Sequence, residues 1–224
     1  MLFPFGYYDL LEAFPQTGCA VCRLVKRDVQ RHIDEILYEH VTDTAMYNRF
    51  RASRGLCQQH GQLLMGFGNA LGIATLYEAV LDKLVTLANE SSPMQSLPRL
   101  LSKSNMQAVA DMLAPDQICI ACETQSASDD RYADSLGEYI QDEKLQTAYR
   151  QSDGLCLSHI RHALARAKTG ENAKLLLTIQ ADIWHKLRTE LAEFRRKYDF
   201  QHVDEAMGAE GDSWIRAILR VGGE

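Results

Sequence analysis

The chain has 224 residues and a net formal charge of −6 at pH 7; 46% of its residues are hydrophobic and 24% charged, with only five prolines and fourteen glycines. A chain of that length and make-up buries a full core rather than staying disordered, and needs no metal merely to offset small size. Its acidic balance lacks the footprint of a general nucleic-acid binder, and the cluster Arg188, Arg195, Arg196 and Lys197 reads as a solvated helix face.

The opening stretch MLFPFGYYDLLEAF is apolar, but it has no basic n-region and carries Asp9 and Glu12, so a secretory signal is not expected. Cys19-Ala-Val-Cys22 leads into a helix in which Leu24, Val25, Val29, Ile33, Ile36, Leu37 and Val41 recur at steps of three and four. Gly55 precedes Cys57-Gln-Gln-His60, and a long helical segment follows, with Leu63, Leu64, Leu71, Ile73, Leu76, Tyr77, Val80, Leu81, Leu84 and Leu87 as its apolar stripe. Gly61, Gly68 and Gly72 then fall on one helix face, where each costs about 1 kcal/mol relative to alanine, so close approach of another helix is expected there. Gly66-Phe67-Gly68 is not read as a phosphate loop, because no strand precedes it and no Lys-Ser/Thr follows. Ser91-Ser92-Pro93 breaks the chain, and Leu97, Leu100, Leu101, Val109, Met112 and Leu113 mark a helix ended by Pro115.

Cys119-Ile-Ala-Cys122 opens the second half, and Gly154 precedes Cys156-Leu-Ser-His159. Ile160, Leu164 and Ala167 predict a short helix up to Gly170; a longer one from about Glu171 to Tyr198 turns Leu175, Leu176, Ile179, Ile183, Leu187, Leu191 and Phe194 inward. Trp184 and Trp214 read as core or interface anchors. Strand signals are almost absent, and no run approaches 18 uninterrupted apolar residues, so no membrane span is expected.

All six cysteines fall into one pattern written twice: C-x2-C, a spacer of 34 or 33 residues, then C-x2-H. The likeness extends to FRASRGLCQQH (50–60) and YRQSDGLCLSH (149–159). The expected fold is therefore all-α: a helical bundle with internal pseudo-twofold duplication and two zinc-type sites. Residues 1–90 form the first metal-binding repeat, 91–115 a linker and helix, and 116–224 the second repeat, packed as one globular unit.

Three thiolates and one imidazole are a complete tetrahedral ligand set for zinc. The ligands are Cys19, Cys22, Cys57, His60, Cys119, Cys122, Cys156 and His159, for two Zn2+ per chain. Residues i and i+3 share a helix face, so each C-x2-H pair can address one ion. Each site is expected to join the starts of two helices about 35 residues apart, with exchange of ligands between halves left open. Closing such a loop costs about 3 kcal/mol of chain entropy, against roughly 10–16 kcal/mol from a structural zinc. A shell closed by four protein ligands is structural rather than catalytic.

An iron–sulfur cluster on the same ligands is the alternative cofactor, and a thiol redox pair would need a βαβ pattern that is not visible. Haem attachment requires C-x2-C-H, and Arg23 and Glu123 follow the pairs instead. His162, one turn beyond His159, is an alternative ligand; His32, His40, His185 and His202 read as surface or packed histidines. No G-x-S-x-G, H-E-x-x-H or Walker sequence is present, so catalysis has no positive support. The expectation is a non-enzymatic interaction or regulatory module with a protein partner left open, no membrane and no general nucleic-acid binding. With no secretory signal and no membrane span expected, the reducing cytoplasm is the default compartment, where cysteines at this spacing read as metal ligands rather than disulfides.

Three stretches, RGLCQQHGQLLMGFGNALGIATLYEAVLDKL (54–84), GLCLSHIRHAL (154–164) and EGDSWIRAILRVGG (210–223), carry a resemblance across most of the chain. With the paired C-x2-C elements, they resemble an uncharacterised prokaryotic family of all-helical proteins with duplicated C-x2-C/C-x2-H metal motifs. The resemblance implies a helical fold and metal binding at the eight residues named above, and supplies no activity.

Overall fold

A computed structural model describes residues 3–90, 103–202 and 204–223. Among them are eleven α-helices and no strand. In chain order these are α1 (Phe5–Ala13), α2 (Ala20–Glu39), α3 (Thr44–Ala52), α4 (Gln58–Leu64), α5 (Ala70–Glu90), α6 (Lys103–Leu113), α7 (Ile120–Tyr139), α8 (Glu143–Gln151), α9 (Leu157–Ala165), α10 (Gly170–Lys197) and α11 (Ser213–Gly222). No helix among the described residues is long and apolar enough to cross a membrane. Ser91 to Pro93, Leu97, Leu100 and Leu101, assigned above to a linker and helix, lie outside the described residues.

The chain divides into two compact units. One is formed by the residues up to Arg27 together with those from Ser126 onward; the other is Asp28–Gln125. Each unit therefore takes residues from both written copies of the cysteine pattern.

In the first unit, α1 packs with α8, and α10 with α9 and α11. Tyr7, Leu10, Phe14, Tyr132, Leu136, Ile140, Leu145, Tyr149, Ile160, Leu176 and Ile179 are buried. Phe14 stacks on Tyr149 with ring centroids 5.1 Å apart. Asp142 caps α8 by accepting the amides of Lys144 and Leu145, and the buried Tyr7 hydroxyl donates to the same carboxylate at 2.7 Å. Burial, with that carboxylate beside it, pushes the Tyr7 phenol up to about 12. Arg27 grips Asp9 through two nitrogens, at 3.3 and 3.0 Å.

In the second unit, α3 packs against α5. Val29, Ile33, Ile36 and Leu37 of α2 are buried, as are Phe50, Leu64, Leu76, Ala79 and Val80. The predicted stripe of α2 is thus inward throughout its helical part. The segment after His60 differs from expectation. It is two helices, not one: α4 stops at Leu64, and Asn69 caps α5 by accepting the Gly72 amide at 2.9 Å. The three glycines consequently do not share a helix face. Gly61 lies in α4, Gly68 in the connection with no atom within 4 Å of a Cβ built there, and Gly72 alone packs tightly, 3.0 Å from the Leu37 carbonyl oxygen. In α5, Leu76, Val80 and Leu87 are buried as expected, but Leu71 and Leu81, expected inward, are exposed.

A close helix approach does occur at a glycine in the first unit. A Cβ on Gly137 of α7 would lie 2.5 Å from the carbonyl oxygen of Arg166 and 2.7 Å from its carbonyl carbon. Backbone cannot swing aside as a side chain can. Gly137→Ala is expected to destabilise the protein by about 1–3 kcal/mol, the usual cost of overpacking. Gly170→Ala, at the open first position of α10, should be neutral or stabilising by up to about 1 kcal/mol. Urea denaturation of the two variants tests the contrast; equal midpoints would contradict it.

Candidate metal centres

All four ligand pairs open helices in the same way. Cys19, Cys57, Cys119 and Cys156 each stand immediately before a helix, and Cys22, His60, Cys122 and His159 follow one turn later. The turns before Cys57 and Cys156 are set by Gly55 and Gly154, both at φ +82°, a left-handed conformation that glycine adopts without a Cβ penalty. A second polar device holds each turn. The side-chain oxygen of buried Gln180 accepts the Leu155 amide at 2.9 Å and the Tyr149 hydroxyl at 2.7 Å, while the Tyr77 hydroxyl receives the Leu56 backbone.

The eight residues gather into two groups of four. The first centre is Cys19, Cys22, Cys156 and His159, and the second is Cys57, His60, Cys119 and Cys122; within each, the ligand atoms all lie within 4.8 Å of one another. The expected pairing within each copy of the pattern is therefore corrected: each C-x2-C meets the C-x2-H of the other copy. Cys22 and Cys156 are 134 positions apart, and His60 and Cys119 are 59 apart. The added entropy of closing the longer loop is only about 1 kcal/mol, because closure grows with the logarithm of length. Packing of the helices that carry the ligands outweighs it.

The spacing is that of ligands around one small ion. A tetrahedron with bonds of about 2.3 Å to sulfur and 2.0–2.1 Å to nitrogen has edges of about 3.8 Å between sulfurs and about 3.6 Å from sulfur to nitrogen. The Sγ–Sγ distances are 3.7 Å for Cys22–Cys156 and 3.6 Å for Cys57–Cys122. Sulfur to imidazole Nδ1 runs from 3.1 to 3.4 Å in the first centre and from 3.3 to 3.8 Å in the second. None of the six cysteines is in a disulfide, and these separations are far beyond such a bond. His162 is in neither group; its Nε2 meets Asp130 at 2.9 Å.

Each histidine also turns its other nitrogen to a partner that sequence reasoning missed. His159 Nε2 lies 2.9 Å from Asp129 Oδ1, and His60 bonds the side chain of Gln125. Gln125 follows Cys122 by one helical turn. Asp129 opens a run, with Asp130 and Asp134, that faces His159, His162 and Arg166 across α7 and α9. An acidic run after Cys122 and a basic run from His159 were the available signal, and their spacings, 1 and 4 against 3 and 4, do not match. Asp153 braces the first centre by accepting the Gly18 amide at 2.9 Å and Arg220 at 2.7 Å. In the second, Arg54 plays the reciprocal part on Asp116 at 3.1 Å.

The proton inventory suits a cation. In the first centre, hydrogen bonds from Cys19 and Cys22 hold the Cys156 thiol far below its ordinary range, against burial. Burial pulls His159 down, but Asp129, Cys156 and Cys19 outweigh it and push the imidazole up to about 12. Both shifts favour the charged forms, a thiolate beside an imidazolium. In the second centre, burial and the neighbouring Cys57 push Cys122 up to about 12. Burial opposes ionisation of Cys57, yet the first-turn amides and adjoining thiols lower it. Burial lowers His60. A divalent cation held there would replace the protons on His159 and Cys122 and satisfy the whole set.

The chain is 24% identical over 216 residues, 96% of its length and 99% of the relative's, to a protein of Caldicellulosiruptor sp. (strain Rt8B.4) described as an uncharacterized 23.9 kDa protein in the xynA 3' region. No solved structure matches. Residues 9–224 match a family of unknown function, and the chain belongs to that family, DUF6062.

Proposed function

We propose that this protein binds two structural zinc ions through the residues named above and serves as an interaction or regulatory module of the cytoplasm. The observation that carries the reading is the pair of Cys3His groups with tetrahedral edge lengths and no ligand position left for water. The same edges support one ion rather than an iron–sulfur cluster, whose ligands bind separate irons and stand farther apart. The repeated order of long, short, short and long helices in α2–α5 and α7–α10 supports reading the chain as a pseudo-twofold duplication.

The interaction role is supported by α11, which is inside out. Its polar Ser213 and Arg220 are buried, while Trp214, Ile215, Ile218 and Val221 are exposed. Arg216 pairs with Glu190 at 2.6 Å and Arg220 with Asp153 at 2.7 Å, so ion pairs help seat this helix.

Elemental analysis of anaerobically purified protein is expected to give two zinc per chain and a colourless solution. A brown preparation with iron and sulfide would overturn zinc in favour of clusters. Cys57→Ser and Cys156→Ser should each retain one metal and lower the thermal midpoint, since a structural zinc contributes folding free energy directly. Unchanged melting with two metals bound would count against these ligands.

Zinc affinity is expected to fall as pH falls. His159 and Cys122, both raised to about 12, carry protons near neutrality without the ion and must release them on binding. Calorimetric titration of the metal-free protein at pH 7, in buffers of different ionisation enthalpy, should therefore show net proton release at each centre. Heats independent of buffer would refute the sign.

A further inference from the structure

Resting on the zinc reading above, we infer that the two centres are inequivalent: the first holds its ion as a permanent fixture, and the second is the exchangeable centre through which metal supply or thiol chemistry acts on the protein. The inference comes from what surrounds the ligands. The eight ligands themselves are two identical sets.

At the first centre, the imidazole that would meet the ion on Nδ1 has Asp129 on Nε2 at 2.9 Å, with side-chain exposures of 14% and 20%. A carboxylate there fixes the tautomer and raises the basicity of the nitrogen that faces the metal. At the second centre, the equivalent partner is the neutral amide of Gln125, which orients the ring without adding charge.

Shielding differs in the same direction. Cys19 and Cys156 are 0% and 1% exposed, and the Cys156 amide donates to Cys19 Sγ at 3.3 Å. The end of the chain closes over the remaining side: a Cβ on Gly223 would lie 3.6 Å from the Cys156 sulfur and 3.8 Å from that of Cys22. The brace beneath, Asp153 with Arg220, has its arginine 3% exposed. The second centre is braced by Arg54 and Asp116, 10% and 65% exposed, where the first has 3% and 30%; two of its three cysteines, Cys57 and Cys122, are half-buried, against Cys22 alone in the first, while its imidazole His60 is buried, so its opening lies at sulfur. A chelator or an alkylating reagent must approach a sulfur or the ion itself, and the second centre offers that approach.

The test is stepwise removal of zinc from the full-length protein. Native mass spectrometry during titration with a zinc chelator should show the two-metal form giving way to a populated one-metal form. Iodoacetamide added at that point, followed by peptide mapping, should label Cys57, Cys119 and Cys122 and spare Cys19, Cys22 and Cys156. Asp129→Asn should lower the affinity of the first centre by about 10–100-fold, and Gln125→Glu should raise that of the second, each narrowing the gap. Loss of both ions in one step, or labelling of the first-centre cysteines first, would overturn the inference while leaving the zinc reading intact. Protein purified without any metal, and unable to take up zinc, would overturn both.

Discussion

The interaction on which the structure depends is the meeting of helix N-termini at sulfur. Two helices that point their first turns at one spot bring like partial charges and unpaired amides together, which is unfavourable. Here the start of α2 meets that of α9, and the start of α7 meets that of α4. Three thiolates, an imidazole and a divalent cation make a site of net charge −1, which suits those helix ends. Cys57 and Cys156 hold the N-cap positions of α4 and α9 without a side-chain cap hydrogen bond, and the residues that could bind a metal stand where four helices begin.

The constraint explains several features that otherwise look unrelated. Gly55 and Gly154 take the same positive φ because each must deliver a cysteine to the cap position immediately after a sharp turn. Gln180 and Tyr77, from different helices and of different chemistry, both hold the amide of the residue before the ligand cysteine. Asp153 and Arg54 occupy corresponding places in the two turns and carry opposite charges, yet each ties its turn to the segment leading into the partner cysteines. What is held in common is the position of the ligand backbone; the side chains that hold it differ.

The helical fold was legible from apolar periodicity. Val29, Ile33, Ile36 and Leu37 are buried where the stripe of α2 places them, and α10 spans nearly the predicted residues. The reading failed after His60, where an unbroken apolar pattern concealed the turn at Met65–Asn69. Glycines at helical spacing imitated a packing face there, while the Asn69 cap that ends the pattern uses a local hydrogen bond invisible to periodicity. Met112 and Leu113 of α6 likewise follow the predicted stripe but are exposed. Periodicity reports a helix and a face, and it does not say whether another element arrives to cover it.

The sequence by itself picked out the eight side chains that gather into two groups able to hold a metal ion, because thiols and imidazoles at C-x2-C and C-x2-H spacing leave few other uses and no cysteine is spare. It also determined that each pair begins a helix. Only the tertiary structure decided which pairs meet, and it chose the exchanged arrangement. The physical reason is that loop closure separates the two pairings by only about 1 kcal/mol, too little to leave a mark in the spacing, whereas the burial of whole helix faces in each unit is worth many times that. Asp129 and Gln125, which distinguish one centre from the other, stayed hidden for the same reason: an acid or amide on a helix takes on meaning only when the fold sets an imidazole beside it.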